Sequence, residues 1–448
     1  MKRGTRLVMC AVALTALTGA LAAPVLTPGV WTRLTPAAVT INDTNHVFCQ
    51  GMAIDPGNPS TLYLGICAYD VSLAGLYKTI DGGSTWAKTG NLDEPVHMVV
   101  DPHNSNHLYC VDGVRGNTIG FWVSTDGGAN WTKPQGFTTA TQSPVGTQDV
   151  YSIAAEPGDF NHILVSFHSP WNNGSNNAGV LESKDGGSTW TVHNPPAGSA
   201  GGYGMSVFFL DYPTHGLGNK NTWLFTAQAG GFFRTTDAGA SWTQVYDKQM
   251  THGGNQIYCS KTGVLYSGGY QYLARSTDTG ASWQQVTKGL DYSWYIGICG
   301  DGNFLYTGTS GVSRPFFTSP EDDGLTWTAY QGGTQTFSTD PFEMFFDSTN
   351  RIMYSANWEG FYALKVLGAM NVRPVARTVS ADHNAFLQEH VLVAAGKRIR
   401  LPVEMAARAI SVYDVKGSLL ERATTYPDGV ANINGTTTGR QVLIIRTK

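Results

Sequence analysis

The chain has 448 residues, 42% hydrophobic and 14% charged, with a formal net charge of −4. Its 12 tryptophans and 20 tyrosines exclude a disordered chain, which would be poor in aromatics, and its length exceeds the ~150 residues of a typical single domain. Charge is uneven: residues 23–368 hold 15 basic and 27 acidic side chains, residues 369–448 hold 11 and 6, so an acidic main body argues against nucleic acid and disfavours polyanionic partners.

The chain starts "MKRGTRLVMCAVALTALTGALAAP", a basic start, a short apolar run and small residues at Ala20 and Ala22. This predicts a secretory signal over residues 1–22. The apolar run is too short for a membrane span and no other segment qualifies, so a secreted or cell-surface protein is expected. Next comes "VWTRLT", Val30 to Thr35, which has the pattern of a strand with no earlier strand to pair with. Loss of Cys10 with the signal leaves Cys49, Cys67, Cys110, Cys259 and Cys299, an odd number. Cys49 and Cys67 flank the turn "DPGNPS", and a cross-strand disulfide and two free thiols are both open.

From residue 78 a short phrase recurs. "KTIDGGSTW" ends at Trp86, "VSTDGGANW" at Trp131, "ESKDGGSTW" at Trp190, "RTTDAGASW" at Trp242, "RSTDTGASW" at Trp283 and the degenerate "SPEDDGLTW" at Trp327. A motif used six times is scaffold. The intervals are 45, 59, 52, 41 and 44 residues, each with room for several short strands, which is the signature of a β-propeller. Within a repeat, "VHMVV" reads as a first strand, "HLYCV" as a second and "GFWVS" as a third, and the recurring phrase leads into a fourth such as "WTKP". After Trp327, "PFEMFFD", "RIMYSAN" and "GFYALKV" supply three more strands and no fourth. Pairing them with "VWTRLT" would close the ring without an open edge. The predicted fold is therefore all-β, a seven-bladed propeller over residues 23–368. Residues 369–386 read as a linker and residues 387–448 as a small β domain.

The pattern S/T-x-D-x-G-x-T/S-W resembles the Asp-box repeat of sialidases, xyloglucanase-type glycosidases and sortilin-like receptors. The resemblance implies that each Asp caps backbone N–H groups in the turn between third and fourth strands, that the glycines take positive φ, and that the Trp packs between blades. The tail pieces "ISVYDVKGSLL" and "QVLIIRTK" resemble the C-terminal β-sandwich domains that address proteins to the type IX secretion route, and a plain accessory β domain is the alternative.

Function on a propeller of this strand order is expected in the loops between blades and those joining second to third strands, opposite the Asp boxes. These loops offer Tyr69, Trp171, Tyr203, Tyr270, Tyr292, Trp294 and Trp358, amphipathic rings suited to a sugar face. Eleven carboxylates fall there too, including Asp93, Glu94 and Asp112. Glycoside hydrolysis needs two carboxyl groups about 5 to 9.5 Å apart, one of them raised in pKa.

The first repeat, "GMAIDPGNPSTLYLGICAYDVSLAGLYKT", is similar to the opening repeat of xyloglucanase-type enzymes. That resemblance places Asp70 where the family keeps its catalytic base. The family takes its acid from a second propeller, for which this chain is too short, so Asp149 and Glu343 are the expected acid candidates within the ring. A sialidase reading would need three clustered arginines, and only Arg115 and Arg314 lie in these loops. A lyase built on His97, Tyr203 and Arg115 as base, acid and carboxylate neutraliser is a further alternative, metal-assisted or not. A non-catalytic glycan- or protein-recognition propeller is another. The leading expectation is a secreted monomer, without a cofactor, that hydrolyses a neutral plant β-glucan such as xyloglucan, with a polysaccharide or oligosaccharide as its partner.

Overall fold

The computed structural model describes residues 23–39, 47–68, 72–113, 116–172, 177–194, 196–199, 206–252, 254–290, 295, 297–308, 316–330 and 341–366, and strands between 389 and 447. Two compact units divide the chain, Met1–Val366 and Leu367–Lys448. The first is a seven-bladed β-propeller. Its antiparallel sheets follow one another over residues 48–89, 95–124, 150–193, 206–246, 257–286, 298–329 and 341–365, numbered here as blades 1 to 7. In the second unit, Glu389–Ala395, Arg440–Thr447, Ala409–Asp414 and Leu419–Thr424 form one sheet in that order, and Arg398–Arg400 pairs with Val430–Asn432.

Blade 7 takes its outer strand from the other end of the propeller. Trp31–Arg33 pairs antiparallel with Gly360–Lys365, with Trp31 opposite Leu364 and Arg33 opposite Tyr362. The predicted closure is what the chain does. Second strands such as Leu62–Cys67 are buried at every position, because neighbouring blades cover both faces, whereas the outer strand Ala87–Thr89 is mostly exposed. Blade 2 departs from expectation. "WTKP" contributes only a bridge between Thr132 and Val123, and Pro134 then starts the short helix Gln135–Ala140. Proline lacks the N–H a ladder needs, which stops the strand there. Phe137 of that helix fills the gap, wholly buried against Trp190 of the next blade.

The recurring turns share one geometry. Asp81 Oδ1 accepts from the Thr79 hydroxyl at 2.6 Å and the Thr85 N–H at 2.9 Å, and Oδ2 accepts from the Thr85 hydroxyl at 2.7 Å. The same bonds recur at Asp126, Asp185, Asp237 and Asp278. In the degenerate sixth copy Asp323, not Asp322, accepts the turn N–H, from Thr326 at 3.0 Å. Bonds from Asn130 hold Asp126 down at about 2, so these carboxylates keep no proton to donate.

Two copies place a non-glycine where the turn goes left-handed, Ala238 at φ 53° and Thr279 at φ 55°. A β-branched residue there is strained by about 1 to 2 kcal/mol, part of which glycine's larger unfolded-state entropy offsets. Thr279→Gly is therefore expected to stabilise the protein by about 0.5 to 1 kcal/mol. The Arg234 bond to the Thr279 carbonyl survives that change. A melting temperature at or below the parent's would contradict the strain argument.

Cys49 and Cys67 are free thiols, as are Cys110, Cys259 and Cys299. The register decides between the two alternatives for the first pair. Cys67 lies opposite Phe48, and Cys49 opposite Ile66. Since side chains alternate along a strand, the two sulfurs point to opposite faces and no disulfide forms.

Candidate functional site

The first strands of blades 1 to 5 and 7 line a cavity of about 630 Å³. Gln50, His97, Tyr151, Ser206, Asn255, Gln256 and Glu343 bring polar atoms to its wall. Two of these were expected to serve rival chemistries, Glu343 as an acid and His97 as a base. The structure brings them together: His97 Nε2 stands 3.2 Å from Glu343 Oε1. Glu343 Oε2 accepts the Met52 N–H at 2.6 Å, and His97 Nδ1 accepts the Ile153 N–H at 3.3 Å.

That arrangement fixes the protonation of the imidazole. With Nδ1 accepting a backbone bond, the ring's hydrogen is on Nε2, pointing at Glu343. Burial agrees, pushing His97 down to about 4 and Glu343 well above its ordinary range. In this state His97 has no lone pair for a substrate proton unless it gives up Ile153.

The pair belongs to a circuit of cross-blade bonds. Met52 ties blade 1 to Glu343 of blade 7, and Ile153 ties blade 3 to His97 of blade 2. Val207 donates to Ser152, Asn255 to Ser206, and Ile298 to Gln256 Oε1. Gln256 also bonds both N–H and C=O of Met344, which returns the circuit to blade 7. Sequence spacing could not reveal this, because each bond joins strands from different repeats. Glu343 and His97 are placed as clamps of the ring.

Asp149 stands elsewhere, on the rim just before the first strand of blade 3. Its Oδ2 accepts from His168 Nδ1 at 2.9 Å and from the Ser169 hydroxyl. The His168 ring lies 5.2 Å from that of Tyr151 and 5.7 Å from that of His252. Tyr151 in turn accepts from Gln50 Nε2 at 2.7 Å. Blades 1, 3 and 4 thus contribute to one rim cluster. His168 opens the loop after the second strand of blade 3 and His252 lies between blades 4 and 5, so neither belongs to the recurring turn, though both fall on the loop face where function is expected.

Asp112, at the end of the second strand of blade 2, is fully buried. Its Oδ2 accepts the Glu94 N–H and the Thr118 hydroxyl, and its Oδ1 has no hydrogen-bond partner. Burial pushes this carboxyl up to about 7. By register it stands in blade 2 where Ile66 stands in blade 1, since Asp112 lies opposite Gly120 as Ile66 lies opposite Gly75.

Of the aromatic residues, Trp358 is half-buried and stacks on Phe48, ring centroids 4.4 Å apart and 3° from parallel. Tyr270 is also half-buried. Trp171 is 3% exposed and packs edge-on against Phe167, so its ring faces the interior of blade 3 and offers no platform. Tyr69, Asp70, Arg115, Tyr203, Tyr292 and Trp294 lie outside the described residues. Among the described residues no group of three or more His, Cys, Asp and Glu could hold a metal ion, and no helix is long and apolar enough to cross a membrane.

Fold and axial cavity define the chain as a seven-bladed propeller with a few polar side chains on a largely apolar inner wall. No protein-family model matches it. It is similar to a protein of Neosartorya fischeri described as a probable oligoxyloglucan-reducing end-specific xyloglucanase, 28% identical over 163 residues, 36% of this chain and 18% of that one. A xyloglucanase of Paenibacillus sp is 24% identical over 243 residues, 48% of this chain and 22% of that one. A xyloglucanase of Hypocrea jecorina is 30% identical over 129 residues, 25% of this chain and 15% of that one. The chain thus aligns with less than a quarter of the length of each of these three. Among solved structures, an ancestral GH74 enzyme superposes with a TM-score of 0.51 at 17% identity, covering 89% of this chain and 56% of that one. YCF48 bound to a D1 peptide gives 0.51 at 14% identity, covering 77% of this chain and 99% of that one. These two likenesses are likenesses of fold.

Proposed function

We propose that the protein is an exported glycoside hydrolase acting on xyloglucan or a closely related neutral β-glucan. The observation that carries this reading is the similarity in sequence to several xyloglucanases. The acidic propeller fits a neutral polymer better than an anionic one. A polymer engages the rim, where Asp149, His168 and Tyr151 meet, because the wall of the axial cavity is tied across by its own hydrogen bonds. Asp70 is proposed as the base that activates water, on its position in the first repeat.

The test is release of reducing ends from xyloglucan by the purified protein. Asp70→Asn should lower turnover by about 100-fold or more with binding retained, the order that loss of a general base gives. Asp81→Ala is the control. It should cost about 0.5 to 2 kcal/mol of stability, as lost caps do, and leave turnover of the folded protein unchanged. An Asp70→Asn protein at full activity removes the assignment.

A second reading, a binding propeller without turnover, is favoured by one feature: Glu343 and Asp149 both spend carboxylate oxygens on internal partners. Xyloglucan binding without new reducing ends would select it.

A further inference from the structure

We propose that the axial cavity is a binding site for a neutral aromatic molecule carrying one carbonyl oxygen, and that this molecule enters from the face opposite the rim. The site stands independently of the hydrolase reading, because it uses a different opening of the ring.

The cavity has two unlike ends. Pro56, Ser348 and Thr349 line it while exposed to solvent, and they belong to turns between first and second strands. Those turns share a face with the recurring Asp turns, because successive antiparallel strands reverse direction, and the loops around Asp149 lie at the other end. Inward from that mouth the wall is Ile54, Val99, Ala155, Phe208, Ile257 and Phe345, all half-buried. Gln50, Tyr151, Ser206 and Asn255 stand beyond them, near the starts of the first strands.

The chemistry of this wall selects the guest. At about 630 Å³ the cavity falls within the ~300–1,000 Å³ of small-molecule sites. Water is a poor occupant of the mouth half, because a bound water needs about two to four polar partners and apolar side chains line it there. A charged guest would find no counter-ion: His97 and Glu343 are tied to each other at 3.2 Å, and Asp347 accepts from Thr349 and Asn350. The amides at the far end are engaged too, Gln256 with Met344 and Ile298, Asn255 with Thr226 and Ser267.

The Ser206 hydroxyl differs from these. Its oxygen accepts the Asn255 N–H at 3.1 Å, and among the described residues its hydrogen has no acceptor. A buried hydroxyl needs one. Ser206 stands two residues from Phe208, hence on the same side of the strand. An aromatic body against Phe208 and Phe345, with a carbonyl oxygen at Ser206, meets both demands. Such a guest touches the first strands of several blades at once, so its binding stabilises the ring by mass action.

The probe is prodan, a neutral naphthyl ketone whose emission shifts to the blue in apolar surroundings. The full chain should bind it saturably at one site, with blue-shifted emission and a melting temperature that rises with prodan concentration. Val99→Phe and Ala155→Phe fill the mouth half, and each should weaken binding by about 10-fold or more. Ser206→Ala should weaken prodan by about 5-fold, the order of one hydrogen bond, and leave N-phenyl-1-naphthylamine, which has no carbonyl, within about 2-fold. Benzophenone, an aromatic ketone that labels C–H bonds under light, tests the site without a variant. Its adducts should fall within Pro95–Asp101, Val150–Glu156, Ser206–Tyr212 or Pro341–Asp347 and be prevented by prodan. The proposal is overturned by absence of saturable binding, by full affinity in a folded filled variant, or by adducts confined to other segments. Equal weakening of both probes in Ser206→Ala, or displacement of prodan by xyloglucan oligosaccharides, would overturn it as well. Release of reducing ends from xyloglucan is measured separately, so failure of the hydrolase reading leaves this site standing.

Discussion

A chain that starts at Pro36 is expected to lose cooperative unfolding, and Trp31→Ala alone to cost about 3 to 5 kcal/mol. The segment removed does more than complete one sheet. Trp31 is 3% exposed and stacks on Phe316 of blade 6, centroids 4.0 Å apart. Leu34 accepts the indole N–H of Trp86 in blade 1 at 2.9 Å and donates its own N–H to Phe361 at 2.8 Å. Tyr330 of blade 6 reaches the Gly29 carbonyl at 3.2 Å. Three consecutive blades are therefore joined through one short strand. Without it, Gly360–Lys365 becomes an open edge able to pair with another chain. Total stabilities of about 5 to 15 kcal/mol leave little margin for such a loss. Urea unfolding followed by tryptophan fluorescence measures it. A truncated chain with the parent's midpoint and slope would show that the ring holds without its latch.

The second large effect is expected within blade 3. His162, 5% exposed, bonds Glu156 Oε2 at 2.6 Å and Glu182 Oε1 at 2.8 Å, and Glu182 Oε2 also meets His193 at 3.0 Å. Lys184 reaches Glu182 Oε1 at 3.1 Å. Burial alone would push His162 down, but the bonds and charges of Glu182 and Glu156 outweigh it and raise the ring. Burial likewise raises Glu182, and its three basic partners overcome that and hold it far below its ordinary range. Removing His162 leaves two carboxylates in the interior short of a partner, so His162→Ala should cost about 3 to 5 kcal/mol.

The pH dependence has two limbs. A histidine raised in the fold contributes fully below its unfolded pKa of about 6.5 and loses the contribution as pH climbs through the folded value. A glutamate depressed in the fold contributes above its unfolded pKa of about 4.3 and loses it as pH falls toward the folded value. The network is thus most stabilising between about pH 4.3 and 6.5. The parent should lose stability above that window, and His162→Ala should show a flatter profile there. Denaturant midpoints from pH 5 to 9 test this. A loss below about 1 kcal/mol would mean that the two glutamates protonate or hydrate at little cost.

The scaffold was legible in the sequence because its causes are local. Each recurring turn is built from residues within eight positions of one another, and the Asp, the hydroxyls and the glycine fix its shape without help from distant chain. Repetition then gave the number of blades, and the lone strand "VWTRLT" gave the closure, since an unpaired outer strand at one end and a missing one at the other admit few solutions. The same local reasoning placed one strand too many in blade 2, where Pro134 and the burial of Phe137 settled the matter.

The site was legible only as a set of loops. Whether Glu343 is an acid or a clamp depends on Met52 and His97, residues 291 and 246 positions away, and the register of three different first strands brings them together. Asp149 reads as a lone carboxylate in sequence, and the return of blade 3 sets His168 beside it at 2.9 Å. The sequence by itself determined the turns, the ring and its closing strand, because those rest on short-range hydrogen bonds and on the period of the repeat. Only the tertiary structure decided which carboxylate meets which histidine, because burial and the meeting of strands from separate blades set those contacts, and neither leaves a trace in spacing along the chain.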